Sequence, residues 1–340
     1  MTALRRHARL TAIACHLPDA TLTNDMLAQE FADWSAQKIL DKTGIARRHI
    51  AAAGETASDL ACHAAEKLFA DHEIDRAGID FLILCTQAPD HLLPSGACVL
   101  QHRLGLPTSC GALDINLGCS GFVYALAMAQ GLVEAGIRSQ VLILTADTYS
   151  KLINPRDRSV RTLFGDGAAA SVVTRADQPA LGPFVLGTDG SGADNLIVPA
   201  GGMRLPRSAA TAIEREDASG NWRSDNDLFM DGAQIVQFTL GAVPRAMHEL
   251  LTTAGKTLDD IDHVIFHQAN KFMLDALRRK LKIPEEKFVI EIDTVGNTVS
   301  STIPIAIARA RQAGRVKPGD LALLLGFGVG YSWAGTLARL

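Results

Sequence analysis

The stretch DINLGCSGFVYALAMAQ (114–130) decides the fold, because a strand changes into a helix within it. ALDINL (112–117) is a short apolar run typical of a buried strand, and a helix-length apolar segment follows from residue 119. Cys119 lies at the turn between the two. A cysteine in this place is either a small buried core residue or a nucleophile, and the stretch alone leaves both interpretations open.

The composition limits the class of protein. The 340 residues are 47% apolar and 5% aromatic, which allows a large core, and the net charge of −4 argues against a nucleic-acid binder. We find no apolar signal-peptide core near the N-terminus and no run near the roughly 18 residues of a membrane span, so we expect a cytoplasmic protein without membrane insertion. The six cysteines form no C-x-x-C pair, which favours free thiols.

Strand-length and helix-length segments alternate along the chain, which predicts an α/β fold with parallel-rich sheets covered on both faces. Strands are predicted at 80–86, 112–117, 140–146, 262–268, 288–293 and 320–327, and helices at 94–105, 119–136, 271–283 and 300–314.

The two halves of the chain repeat the same order of segments. FLILC, ending at Cys85, matches HVIFH, ending at His267, and LDINLGCSGF matches IEIDTVGNTV. We therefore predict an internally duplicated fold with halves 1–180 and 181–340. Residues 188–230 are rich in glycine, serine and charge and predict a loop, which either forms the mouth of a site or is a disordered insertion.

Three strand ends carry reactive residue types, and in open α/β sheets chemistry collects at such ends. Cys119 would lie at a helix N-terminus, which lowers a thiol pKa. His267 ends a strand, and Asn297 occupies the turn equivalent to that of Cys119, so the duplication places Cys119 and Asn297 at one pocket. His and Asn together can donate two hydrogen bonds to an enolate or oxyanion. The alternatives are a core or surface histidine and an ordinary N-cap asparagine.

Several motifs in this order resemble the β-ketoacyl-acyl-carrier-protein synthase III family of the thiolase-like superfamily. They are KTGIARRHIAA, GCSGFVYAL, FGDGAAA, HQAN, VGNTVSSTIP and KPGDLALLLGFGVGYSW. The resemblance implies a five-layer αβαβα fold of two duplicated halves with mixed sheets, usually a homodimer. It also implies a decarboxylating Claisen condensation of an acyl-CoA primer with malonyl-acyl carrier protein, without a metal or other cofactor.

The resemblance assigns roles to individual residues. Cys119 is the implied nucleophile that carries the acyl group, and His267 and Asn297 assist decarboxylation. The backbone N–H groups of Cys119 and Val329 form the implied oxyanion hole. Phe327 matches an aromatic residue near the nucleophile.

Substrate-binding positions are less regular. Further positions that the resemblance implies are Lys42, Arg158 and Lys271 for the coenzyme, Arg279 and Lys280 for the acidic carrier protein, and Leu93, from the dimer partner, for the end of the acyl pocket. An ungapped count puts Lys38 where the family has an adenine-stacking aromatic residue, and Trp34 could substitute only if the loop is shifted. Phe272 replaces a usual basic residue, and a solvated helix face is the alternative for Arg279 and Lys280.

Other functions on the same scaffold stay open at this point. A non-condensing acyltransferase that forms an ester or amide would acylate Cys119 without using Asn297. A type III polyketide-type synthase shares the Cys, His and Asn set, although its nucleophile usually lies later in a longer chain. A catalytically silent partner-binding subunit would not acylate at all.

Overall fold

The computed structural model describes residues 6–31 and 33–340. Its helices are α1 (Asn24–Glu30), α2 (Ala36–Thr43), α3 (Ala57–Asp71), α4 (Gly96–Arg103), α5 (Gly121–Glu134), α6 (Arg158–Arg161), α7 (Gly232–Ala254), α8 (Lys271–Lys280) and α9 (Thr302–Gln312). Its strands are β1 (His7–His16), β2 (Thr21–Thr23), β3 (Arg47–His49), β4 (Phe81–Cys85), β5 (Gly111–Ile115), β6 (Gln140–Asp147), β7 (Gly167–Ala176), β8 (Leu181–Thr188), β9 (Leu196–Ile197), β10 (Arg215–Glu216), β11 (Trp222–Arg223), β12 (Phe229–Met230), β13 (His263–Phe266), β14 (Leu321–Gly328) and β15 (Ser332–Arg339).

Two mixed sheets form the body of the protein. The first has the order β1-β7-β6-β4-β5, with β4 parallel to both β5 and β6, and with β7 antiparallel to its two neighbours. The second has the order β13-β14-β15-β8, with β13 parallel to β14 and the other pairs antiparallel. Strands of the first sheet lie before residue 180, and those of the second lie after it.

Five layers result from the way the helices cover these sheets. Helices α5 and α9 share one buried cluster with residues of both sheets, such as Ile143 and Leu324, so they form the central layer. Helices α3 and α4 cover the outer face of the first sheet, and α7 and α8 cover that of the second. The predicted αβαβα architecture with mixed sheets is confirmed.

One predicted strand, 288–293, is wrong. Only Phe288 of this segment forms a bridge, to Val264 of β13. Beyond it the side chain of Gln268 replaces the ladder, since its Nε2 donates to the Val289 carbonyl at 3.3 Å and its Oε1 accepts from the Glu291 N–H at 2.9 Å. A side-chain amide therefore satisfies backbone groups that a neighbouring strand would otherwise pair.

Residues 188–230 are a folded loop region rather than a disordered insertion. Strands β9 and β12 pair with each other, and Leu196 and Leu228 pack into the buried cluster that contains Cys119. This supports the prediction that the region forms the mouth of a site.

The sequence predicted neither a signal peptide nor a membrane-spanning segment. The predicted absence of a signal peptide rests partly on residues 1–5, which lie outside the described residues; residues 7–16 form β1. Among helices in the described ranges, none combines the length and apolarity that a membrane crossing requires. All six cysteines are free thiols, as predicted.

Candidate active site

Cys119 lies in the turn that joins β5 to α5. A hydrogen bond of 2.8 Å from the Gly121 N–H to the Gly118 carbonyl closes this turn. Position 121 must be glycine, because a Cβ there would lie 2.2 Å from the Cys85 sulfur. Helix α5 begins at Gly121 with Ser120 as its N-cap, and Cys119 just before it is only 5% exposed.

Strand β14 passes so close to Cys119 that two of its residues must be glycine. A Cβ on Gly328 would lie 2.8 Å from both Cβ and Sγ of Cys119, and a Cβ on Gly326 would lie 2.6 Å from the Cys119 carbonyl oxygen. Alternation along the strand turns Phe327 to the other face, where its ring meets that of His267 edge to face at 5.6 Å. The glycine cluster thus serves close backbone approach rather than nucleotide binding.

The Cys119 thiol is protonated in the free protein. Burial and the Asp147 carboxyl raise its pKa to about 12, although the backbone N–H groups of Val329 and Cys119 hydrogen-bond to the sulfur and act to lower it. The lowered pKa expected from the helix N-terminus is therefore wrong for the free site, because enclosure removes the water that would solvate a thiolate. The two N–H groups named as the oxyanion hole do converge at the sulfur.

Asp147 is a component of the site that sequence reasoning missed. It ends β6, is fully buried, and accepts hydrogen bonds from the Gln87 N–H at 2.8 Å and from the N–H and hydroxyl of Ser300 at 3.2 and 2.5 Å. Burial raises the pKa of its carboxyl to about 7. A charged residue closing the apolar run QVLILTAD was the signal for it. Asp147 links the β6 end to the segment after Asn297.

His267 directly follows β13 and is 2% exposed. Its Nδ1 lies 2.7 Å from the Thr302 hydroxyl, which itself donates to the Val299 carbonyl at 3.1 Å. Because that hydroxyl has one hydrogen, donation to Val299 makes it an acceptor for an Nδ1–H, and Nε2 is left unprotonated. Burial lowers the pKa of His267 to about 3, so the ring is neutral. Sequence reasoning also missed Thr302.

Asn297 has its side-chain amide fixed by its own loop. Its Oδ1 accepts from the Val299 N–H at 3.0 Å, and its Nδ2 lies 3.4 Å from the Ala269 carbonyl. The Asn297 N–H donates to the Leu163 carbonyl, and the Asn297 carbonyl accepts from the Gly165 N–H, both at 3.0 Å. These two bonds hold the residue against the segment before β7. Because Oδ1 is occupied, the amide offers its second N–H as a donor.

Cys119, His267 and Asn297 line one cavity of about 250 Å³. The predicted trio is therefore brought together, with Phe327 beside it. Thr239 of α7 also lines the cavity; its hydroxyl is fully buried and has no hydrogen-bond partner among the described residues. It is a polar group available to a bound substrate.

Trp34 stands at the mouth of this cavity, in place of Lys38 from the ungapped count. Three cations surround its ring: Lys42 at 4.7 Å, Lys38 at 5.4 Å and Arg158 at 5.8 Å from the centroid. Lys42 lines the cavity as well. Arg158 does not line it, but it lies over the ring of Trp34, which does.

The remaining predicted residues lie outside the cavity. The Lys271 ammonium bonds the Asp275 carboxylate at 2.6 Å, and the neighbouring Phe272, 62% exposed, lines the cavity instead. Leu93 is 82% exposed and does not reach the cavity of its own chain. The two basic residues predicted to face a carrier protein, Arg279 and Lys280, are exposed at the end of α8, where Lys280 donates to the Leu240 carbonyl at 2.8 Å.

Two family models match the chain. That of 3-oxoacyl-[acyl-carrier-protein] synthase III covers residues 113–190, and that of the C-terminal part of the same synthase covers residues 251–340. The matched ranges contain Cys119, His267 and Asn297.

Relatives and solved structures are similar over nearly the whole chain. A beta-ketoacyl-[acyl-carrier-protein] synthase III of Caldanaerobacter subterraneus subsp. tengcongensis is 38% identical over 98% of this chain and 97% of its own length. A crystal structure of a 3-oxoacyl-(acyl-carrier-protein) synthase III, 57% identical, has a TM-score of 0.97 over 98% of this chain and 100% of that one. The crystal structure of a 3-oxoacyl-(acyl-carrier protein) synthase from Burkholderia xenovorans is 38% identical in sequence. Its TM-score is 0.91 over 100% of this chain and 97% of that one.

Proposed function

The chain belongs to the β-ketoacyl-acyl-carrier-protein synthase III family, and from this we propose how its cavity works. The protein is an acyltransferase that condenses an acyl-CoA primer with malonyl-acyl carrier protein, releases carbon dioxide and forms a 3-oxoacyl-acyl carrier protein. The observation that carries the proposal is that Cys119 after β5, His267 after β13 and Asn297 in the turn before α9 line one cavity. Covalent catalysis then divides the reaction into two easier steps.

In the first step the Cys119 sulfur attacks the thioester carbonyl of the primer. The thiol proton moves to Nε2 of His267, the acceptor nitrogen left by the bond of Nδ1 to Thr302. The carbonyl oxygen becomes an oxyanion held by the N–H groups of Cys119 and Val329, which already meet at the sulfur. Coenzyme A leaves as a thiolate and takes the proton from Nε2, so acyl-Cys119 and free coenzyme A result.

In the second step malonyl-acyl carrier protein loses its carboxylate as carbon dioxide. The electron pair of the broken bond forms an enolate, whose oxygen accepts hydrogen bonds from Nδ2 of Asn297 and from His267. The enolate carbon attacks the carbonyl carbon of acyl-Cys119, the carbon–sulfur bond breaks, and the Cys119 thiolate that leaves takes up one proton from solvent.

The second step needs an N–H at Nε2 of His267, whereas the first needs a lone pair there. Thr302 can serve both, because its hydroxyl either donates to Val299 and accepts from Nδ1–H, or rotates and donates to an unprotonated Nδ1. Thr302 is therefore proposed as a positioning residue that accommodates both tautomers.

Substrate binding is proposed at the cavity mouth. Trp34 offers an aromatic face for the adenine of coenzyme A, and Lys42 and Arg158 beside it offer positive charge for phosphates. Lys271 is proposed next to the same path, and Arg279 and Lys280 as contacts for the acidic carrier protein.

A homodimer in the cytoplasm is proposed as the working form. Leu92 and Leu93 are 74% and 82% exposed, and a second copy would cover them. Leu93 would then close the partner's acyl pocket. The proposed chemistry requires no metal or organic prosthetic group.

Product analysis tests the proposed reaction. The protein is incubated with a series of acyl-CoA primers and malonyl-acyl carrier protein, and carbon dioxide and the 3-oxoacyl product are measured. We expect both, and the absence of both with every primer would contradict the proposal. Asn297→Ala should still form acyl-Cys119 by intact-mass measurement but lose condensation; full product formation by this variant would instead favour a non-condensing acyltransferase. No observation favours that alternative, a polyketide-type synthase or a silent subunit.

A further inference from the structure

Two histidines and a glutamate converge in a cleft that is separate from the condensing site. His16 ends β1, where it pairs with Ala168 of β7; Glu55 lies in the turn before α3; and His63 lies on α3. The ligand-capable atoms of these three side chains all lie within 4.8 Å of one another. No sequence motif indicates this cluster, because the three residues come from separate segments of the chain.

The two imidazoles are available to a ligand. Their rings meet edge to face at 4.7 Å, and within residues 6–31 and 33–340 no protein hydrogen bond occupies either ring, whereas the ring of nearby His72 bonds the Ile13 carbonyl. A neutral imidazole is the form that binds a metal.

The carboxylate of the set is partly fixed. One oxygen of Glu55 accepts the Ala52 N–H at 3.0 Å and so closes the turn before α3, which leaves the other oxygen for a ligand. Asp19 and Asp59 also line this cleft. Because Asp59 is paired with Arg103 at 2.8 Å, the negative charge of the cleft comes from Asp19 and Glu55, and Lys67 near His16 partly opposes it. The cleft therefore combines two nitrogen donors with negative charge.

We propose that His16, Glu55 and His63 form a binding site for a divalent transition-metal ion of the zinc type. Two imidazoles and one carboxylate are a ligand set that zinc takes up, with a water in the fourth position. Tetrahedral ligands about 2.0–2.1 Å from zinc lie roughly 3.4 Å apart. In the present structure the three ligand atoms lie within 4.8 Å of one another, so small side-chain rotations bring them to the spacing that zinc requires. The bound ion would tie the end of β1 to the start of α3.

Direct binding tests the site on the full chain after treatment with a chelator. Zinc chloride is titrated by calorimetry, and cobalt(II) is titrated by visible absorption. We expect one equivalent of zinc bound, a rise of about 4 °C in the unfolding midpoint at roughly 100 times the dissociation constant, and no competition by excess magnesium. His63→Ala should weaken zinc binding at least about tenfold, since it removes one of three ligands.

Two further variants separate this site from other ligands. His248→Ala removes an exposed histidine of α7 that belongs to no such cluster in the described part of the chain, and it should bind zinc like the wild type. Glu55→Gln keeps the acceptor for Ala52 but removes the charge, and it should weaken binding as well. Unchanged zinc affinity in His63→Ala, no binding at millimolar zinc, or a thiolate-to-cobalt charge-transfer band from the free cysteines would each overturn the proposal.

Discussion

Replacing Thr302 with valine tests whether this residue controls the proton state of His267. The substitution keeps the side-chain shape but removes the hydroxyl that bonds Nδ1 at 2.7 Å and donates to the Val299 carbonyl at 3.1 Å. Both residues are buried, so the lost partner leaves a ring N–H without an acceptor. That loss costs about 1–3 kcal/mol of folding stability.

The expected effect on the reaction follows from the same hydrogen bond. The ring gains positive charge while Nε2 takes the thiol proton, and a hydrogen bond to a charged group contributes about 1.5–3 kcal/mol. At about 1.4 kcal/mol for each factor of ten, Thr302→Val should slow acylation of Cys119 by roughly 10- to 150-fold. The KM for acyl-CoA should change little, because Thr302 does not line the cavity.

Acylation is followed by intact-mass measurement of Cys119 in quenched time courses over a range of acyl-CoA concentrations. Thr302→Ser is the matched control, because it keeps the hydroxyl, and it should restore most of the rate. Chemical denaturation of each variant separates lost stability from lost catalysis. Wild-type acylation rates in Thr302→Val, or equally slow acylation in Thr302→Ser, would refute the positioning role.

Three other changes have distinct expected outcomes. Gly328→Ala places a Cβ 2.8 Å from the Cys119 sulfur and should abolish acylation in the intact-mass assay. Gly314→Ala lies at a position with open space but a positive φ, so it should keep wild-type acylation in the same assay and lower only the stability. Because the pKa of His267 is lowered to about 3, this residue should make stability fall by about 1.4 kcal/mol per pH unit as pH drops below about 6.5, whereas the raised pKa of Asp147 acts in the opposite direction. Denaturant titrations of the wild type and His267→Gln should therefore differ by the His267 slope. Thr239→Val removes a buried unpaired hydroxyl, so it should stabilise the free protein by about 1 kcal/mol yet raise the KM for acyl-CoA; an unchanged KM would exclude a substrate contact.

The fold and the reactive trio could be predicted because they depend on strand order. Apolar runs mark β4, β6, β13 and β14 almost to the residue. Cys119 and His267 follow strands of two different sheets, and the internal duplication that relates the two halves is what predicted a shared pocket at these strand ends. The turn of Asn297 was found as the counterpart of the turn of Cys119.

The predictions that were wrong depend on side-chain contacts and burial that involve distant segments of the chain. The segment 288–293 has the composition of a strand, but Gln268 bonds its backbone, and no local pattern reveals this. Trp34 lines the cavity, whereas the ungapped count pointed to Lys38, because a count along the chain does not show which side chain of this segment turns toward the cavity. The thiol pKa was predicted from the helix end alone, although desolvation is the larger effect.

The opposite pKa shifts of Cys119 and His267 explain how a buried nucleophile can stay unreactive until its substrate is bound. Burial raises the pKa of the thiol and lowers that of the imidazole, so the free site holds a neutral pair rather than a thiolate and an imidazolium. A neutral thiol is a poor nucleophile and a poor target for oxidation. Proton transfer becomes favourable only when a thioester carbonyl lies against the N–H groups of Cys119 and Val329, because the charge then moves from the sulfur to an oxygen that they stabilise. Reactivity thus depends on the bound acyl group, and the enclosed cavity restricts the chemistry of Cys119 to its thioester substrates.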